Sequence, residues 1–146
     1  LARLPRVVGI KEAVASMQRV RDLVAQCPPG FGLLSGDDAS AREAIRNGAT
    51  GVISVTGNVA PALMSQMVGA ARAQDDARAA ELDARLVGLH QSLFLEANPI
   101  PVKWALQRMG MMRGHLRLPL TPLAQRHHAA VEAALAQAGI PLAAAA

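Results

Sequence analysis

The residue whose type and place best suit covalent chemistry is Lys11. It follows the apolar run Val7-Val8-Gly9-Ile10 and stands directly before Glu12-Ala13. A short run with β-branched residues, then a switch to helical spacing, reads as a strand feeding a helix. Lys11 then sits at the strand's carboxyl end, the face on which parallel α/β folds carry their chemistry. Desolvation by apolar neighbours favours the neutral amine. A neutral amine can attack a ketone and form a Schiff base. Those seven residues alone fit a lysine with its head in water better still.

Other reactive types offer less. His127 and His128 are adjacent, so on a helix their rings point apart, without metal-ligand spacing. His90 and His115 stand alone, as surface or satisfied histidines do. Gly32-x-x-x-Gly36 lacks the Lys-Ser/Thr of a phosphate loop. Asp37-Asp38 fits a helix cap better than a metal pair. Cys27 is beside two prolines and reads as an idle or buried thiol. Met64, Met67, Met109, Met111 and Met112 read as core or interface filler. Lys103, in a helix after two prolines, reads as a surface charge.

Composition bounds what these residues can belong to. The chain has 146 residues, 51% hydrophobic and 18% charged, which suits one folded domain's worth of core. The single cysteine excludes an intrachain disulfide and suits a reducing cytoplasm. No apolar run reaches the roughly 18 residues of a membrane span, and the opening Leu1–Arg6 is too short and charged for a signal peptide. The net charge is +4, but the arginines are scattered and the aromatic content is 2%, so few rings could stack on bases. Nucleic acid is not an expected partner. A strand six residues in leaves little room for a natural beginning, so the chain reads as part of a longer one.

Several elements must position Lys11. After it, Val14, Met17, Val20, Leu23 and Val24 recur at helical spacing, until Pro28-Pro29-Gly30 stops the helix. Phe31–Ser35 reads as a second strand. Asp37 or Asp38 caps a helix over 39–47, closed by Gly48. Gly51–Val55 reads as a third strand, followed by a helix over 59–73 with Pro61 in its first turn. This βαβαβα order predicts parallel strands. From Asp75 the pattern is helical: 77–95 with Leu82, Leu86, Leu89 and Leu93 on one face, then 102–109, a proline-pinned link at 118–122, and 123–138. The Ala143–Ala146 tail reads as frayed. The expected division is therefore 1–74 and 75–146.

Three parallel strands leave both sheet edges open. A closed TIM (β/α)₈ barrel takes about 250 residues, so three units fit the last three of eight. Five stretches then carry a resemblance: Gly9-Ile10-Lys11-Glu12-Ala13; Leu33-Leu34-Ser35-Gly36-Asp37-Asp38; Gly51–Thr56 with Asn58; Asn98-Pro99-Ile100-Pro101-Val102-Lys103-Trp104-Ala105; and Arg117-Leu118-Pro119-Leu120-Thr121-Pro122. In order and spacing, from about Pro5 to Ile140, the chain resembles the dihydrodipicolinate synthases of the pyruvate-aldolase superfamily.

The resemblance implies an α/β fold: the C-terminal three β/α units of the barrel over 1–74, then a C-terminal helical region over 75–146. It implies a cytoplasmic lyase of lysine and diaminopimelate biosynthesis that condenses pyruvate with aspartate semialdehyde and needs no cofactor or metal. Lys11 matches the Schiff-base lysine, Ile53 a residue whose backbone lies against pyruvate, and Gly36 a glycine lining the same pocket. Asp37 and Asp38 match an acidic pair that shapes the loop. The family assembles as a dimer of dimers, implying a homotetrameric parent. The family's proton relay depends on a tyrosine upstream of the lysine, and this chain has no tyrosine. The 146 residues are therefore expected to be inactive alone. Two other readings stay open: another pyruvate aldolase, such as a sialic acid (N-acetylneuraminate) lyase, or a non-catalytic helical remnant.

Overall fold

A computed structural model describes residues 1–143. Of the alanine tail, 144–146 lie outside the described residues. Ala143 is tied down: its N–H donates to the Arg108 carbonyl at 2.9 Å.

The strands are β1 (Gly9–Glu12), β2 (Gly32–Ser35) and β3 (Gly51–Val52). They form one parallel sheet in the order β1-β2-β3, as the alternating pattern predicts. The helices are α1 (Met17–Gln26), α2 (Ala41–Arg46), α3 (Pro61–Arg72), α4 (Asp76–Ser92), α5 (Ile100–Arg108) and α6 (His128–Ala138).

Several boundaries differ from the sequence reading. The first helix starts at Met17 because Ser16 takes its N-cap, its hydroxyl accepting the Arg19 N–H at 3.3 Å. Val14 therefore lies outside the helix and is 60% exposed. β3 stops at Val52 because Val55 already adopts helical angles and Thr56–Asn58 form a 3-10 turn. β-branched residues gave Ser54 and Val55 a strand signature that this local turn overrides. α4 ends at Ser92, leaving Leu95 outside it and partly exposed. α5 starts at Ile100, taking Pro101 into its first turn, where a missing N–H costs nothing. α6 starts only at His128; 125–127 form a 3-10 turn.

Two compact units divide the described chain: Leu1–Ser54 with Ser65–Leu82, and Val55–Met64 with the residues from Asp83 onward. In the first, Val20, Leu23, Leu33, Ala44, Ile45, Ala49, Ala71 and Ala79 form a buried cluster, with Ile10 packed against it. These residues join one face of the sheet to its helices. In the second, Leu86 and Leu89 of α4 and Leu93 just past its end are fully buried, as are Val131 and Leu135 of α6. α4 and α6 approach closely at Gly88, where a Cβ would lie 2.5 Å from Gln137 Oε1 and 3.3 Å from Ala134 Cβ. Gly139, at φ +74°, ends α6 in the left-handed conformation that glycine adopts without a Cβ penalty.

Candidate functional site

The register sets the geometry around Lys11. Lys11 pairs with Leu34, and Leu34 pairs with Gly51. Side chains alternate along a strand. Ile10 and Leu33 face the buried helical cluster, so Lys11 and Leu34 face the opposite side of the sheet. Lys11 is solvent-exposed there.

Gly36 and Ile53 follow the carboxyl ends of β2 and β3. Gly36 N–H donates to the Glu12 carbonyl at 2.8 Å, and Ile53 N–H donates to the Ser35 carbonyl at 2.8 Å. The ladder thus continues one step past β2 and β3, carrying both residues to the carboxyl rim of the sheet, Gly36 next to β1 and Ile53 one strand further from Lys11. The Lys11 side chain leans over Gly36: a Cβ there would lie 2.7 Å from Lys11 Cε and 3.0 Å from Ala13 Cβ. Glycine is the one residue that leaves this space open. Ile53 is 49% exposed.

The acidic pair beyond Gly36 shapes its loop. Asp37 Oδ2 accepts from the Ser40 N–H at 2.9 Å and from the Ser40 hydroxyl. Ser35 Oγ donates to the Asp37 carbonyl at 2.9 Å and accepts the Asp37 N–H at 3.2 Å. The expected cap therefore falls on the turn before α2, whose own N-cap residue, Ser40, makes no capping bond. Asp38 is buried, and its carbonyl accepts the Ala41 N–H at 3.2 Å.

Glu12 lies on the face opposite Lys11. Its carboxylate accepts the Val14 N–H and Arg19 Nε, each at 3.0 Å. The Val14 bond, then the Arg19 bond, hold the Glu12 carboxyl below its ordinary range. A groove of about 510 Å³ in the same unit is lined by Arg46, Ala49, Thr50, Ala71 and Arg72. Thr50 immediately precedes β3, so this groove lies at the amino ends of the strands. Arg46 is already engaged by Asp76 at 3.1 Å and Glu43 at 3.3 Å.

The second unit holds what sequence reasoning missed. His90, which stands alone in sequence, is buried, with Nδ1 2.9 Å from Thr56 Oγ1 and Nε2 3.6 Å from Asp83 Oδ1. The available signal was spacing: Asp83 and His90 lie seven apart on one helix, with the buried Leu86 and Leu89 between them. Thr56, distant in sequence, gave none. His128 stacks on Trp104 at 4.3 Å, while His127 Nε2 lies 3.7 Å from Glu96, so the adjacent rings do diverge. Lys103 Nζ donates to the His115 carbonyl at 2.7 Å. Among the described residues, no three His, Cys, Asp or Glu side chains gather as metal ligands, and no helix is long and apolar enough to cross a membrane.

Residues 1–138 match the model of the dihydrodipicolinate synthetase family. The chain is 55% identical over 140 residues to a 4-hydroxy-tetrahydrodipicolinate synthase of Azoarcus sp. (strain BH72), covering 96% of this chain and 48% of that protein. It is equally 55% identical, over 142 residues, to the enzyme of the same name from Thioalkalivibrio sulfidiphilus, covering 97% of this chain and 48% of that one. Among solved structures, the chloride-inhibited dihydrodipicolinate synthase of Acinetobacter baumannii complexed with pyruvate superposes with a TM-score of 0.92 at 44% identity. That match covers 97% of this chain and 48% of that one. The Aquifex aeolicus synthase gives a TM-score of 0.92 at 35% identity, over the same shares. The chain thus spans about half the length of the curated relatives it matches. On the strength of the family model and these identities, it belongs to the dihydrodipicolinate synthetase family.

Proposed function

We propose that this chain is the C-terminal half of a Schiff-base lyase that condenses pyruvate with aspartate semialdehyde. Residues 1–74 supply the last three β/α units of a (β/α)₈ barrel, and 75–146 the helical region that follows. The observation that carries this reading is the rim itself: Lys11, Gly36 and Ile53 at the carboxyl ends of three adjacent parallel strands. The names of the relatives support the reaction.

In this reading the Lys11 amine adds to the pyruvate ketone carbon, and water leaves as the iminium forms. Loss of a methyl proton then gives the enamine, the iminium nitrogen taking up the electron pair. The enamine carbon attacks the aldehyde of the second substrate. The amino group of that substrate then closes onto the former ketone carbon and displaces Lys11. The Ile53 backbone lies against pyruvate, and Gly36 keeps the space beside the Lys11 stem clear. The lysine is the electron sink, so the reaction calls for no cofactor. The family resemblance puts the proton relay in the half not covered here, so the chain alone does not turn over. The parent is a cytoplasmic homotetramer.

Joining this chain to the uncovered half of the Azoarcus relative tests the reading. The chimera should consume pyruvate and aspartate semialdehyde, and Lys11→Ala should abolish this. A well-folded chimera that is inactive, or one indifferent to Lys11→Ala, would overturn it.

A further inference from the structure

Four hydrogen bonds close a ring around the turn that follows Lys11. Glu12 Oε1 accepts the Val14 N–H at 3.0 Å. The Val14 carbonyl accepts the Ser16 N–H at 2.8 Å. Ser16 Oγ accepts the Arg19 N–H at 3.3 Å. Arg19 Nε returns to Glu12 Oε2 at 3.0 Å. Glu12 also binds through its backbone, its carbonyl taking the Gly36 N–H at 2.8 Å. One residue therefore ties together the tip of β2, the β1–α1 turn and the first turn of α1. It is the covalent neighbour of Lys11, and Ala13, within the ring, is the second wall facing Gly36.

The Lys11 side chain has little else to hold it. It is exposed, and its Cε lies over Gly36 beside Ala13, in the space that a Cβ at Gly36 would fill. A lysine has four side-chain torsions, and leaving them free carries a large entropic advantage. Keeping the stem in that space requires a fixed backbone on both sides. The strand ladder supplies one side and the Glu12 ring the other.

We infer that Glu12 is a positioning residue: its carboxylate, bridging the Val14 N–H and Arg19, holds the turn that keeps the Lys11 stem against Gly36. The inference rests on the proposed role of Lys11 as the condensing amine. Glu12 faces away from the amine, so it acts through the backbone and touches no substrate.

The contact is measurable on the 146-residue chain without pyruvate, as the nuclear Overhauser effect between the Lys11 ε-methylene and Gly36 α protons. The wild-type chain should show it. Glu12→Ala and Arg19→Ala should both lose it while the amide signatures of β1–β2 pairing persist. Glu12→Gln, which keeps an acceptor for Val14, should retain part of it. Arg19 is exposed, so Arg19→Ala tests the ring even if Glu12→Ala unfolds. In the chimera, both alanine variants should slow iminium formation with pyruvate by about tenfold or more. A contact undiminished in both variants, absent from the wild type, or lost only together with strand pairing overturns the inference. The two ideas fail separately: no pyruvate adduct at Lys11 in the chimera removes the amine's role, whereas a persisting contact removes the role of Glu12.

Discussion

The rim around Lys11 and the polar interior around His90 handle polar groups in opposite ways. At the rim, backbone hydrogen bonds fix the strand ends, and the side chain capable of chemistry is left exposed. Around His90, the side chains themselves are consumed in structure: Thr56 is fully buried, His90 nearly so, and they bond to each other. A buried polar group needs partners because its desolvation is otherwise uncompensated. An exposed one is free to meet a ligand. A buried histidine bonded through Nδ1 to a buried threonine is thus placed for structure, whereas an exposed lysine at a strand end is open to a ligand.

Substitutions sharpen this contrast, the largest effects falling in the interior. Leu86→Ala or Leu89→Ala, at fully buried positions, should cost about 2–5 kcal/mol in chemical denaturation. A cost below 1 kcal/mol by that estimate would mean that the helix face is looser than its burial indicates. His90→Leu should cost about 1–3 kcal/mol without altering the Lys11–Gly36 contact, which places the two regions' roles apart.

At the rim the balance reverses. A Cβ at Gly36 would press on the flexible Lys11 stem and also on Ala13, whose Cβ would lie 3.0 Å and whose Cα 3.2 Å away. Gly36→Ala should therefore cost about 1–3 kcal/mol, displace Lys11 and abolish pyruvate adduct formation in the chimera. Unchanged adduct formation would show that the space over Gly36 is not needed.

Glu12 gives the smallest effect and a pH signature. Its carboxyl is held below its ordinary range in the folded chain. The unfolded chain therefore binds the proton more readily, and folding gains stability above the unfolded value. That gain disappears as pH falls through the folded value. Denaturation at pH 6 and at pH below about 4 should show the loss in wild type and a smaller slope in Glu12→Gln. At neutral pH the variant should lie within about 1 kcal/mol of wild type, as expected for a pair with an exposed arginine. Equal slopes would remove Glu12 as a source of acid sensitivity.

How much was legible in the sequence follows from which forces are local. The parallel order came from alternating apolar runs and helical spacing, and the leucines of α4 from their spacing of three and four. Boundaries set by single side chains were harder. Ser16 delays α1 by capping it, and the turn at Thr56 shortens β3 although Ile53-Ser54-Val55 carries strand propensity. Lys11 could be read as a strand-end residue because that is a local feature, whereas Gly36 and Ile53 were reached only through the family resemblance. The His90–Thr56 pair could not be read, since 34 residues separate its members. The ring through Glu12, Val14, Ser16 and Arg19 is local, but a turn of that kind has no periodicity by which to find it.

The proposed lyase chemistry requires Lys11 to condense with an α-keto acid. Borohydride reduction of the chimera in the presence of pyruvate, followed by peptide mass mapping, tests it most directly, because the chain's only other lysine, Lys103, serves as an internal control. One reduced pyruvate adduct is expected, on the peptide carrying Lys11 and absent from Lys11→Ala. An adduct on Lys103, or none on a chimera shown to be folded, would contradict it.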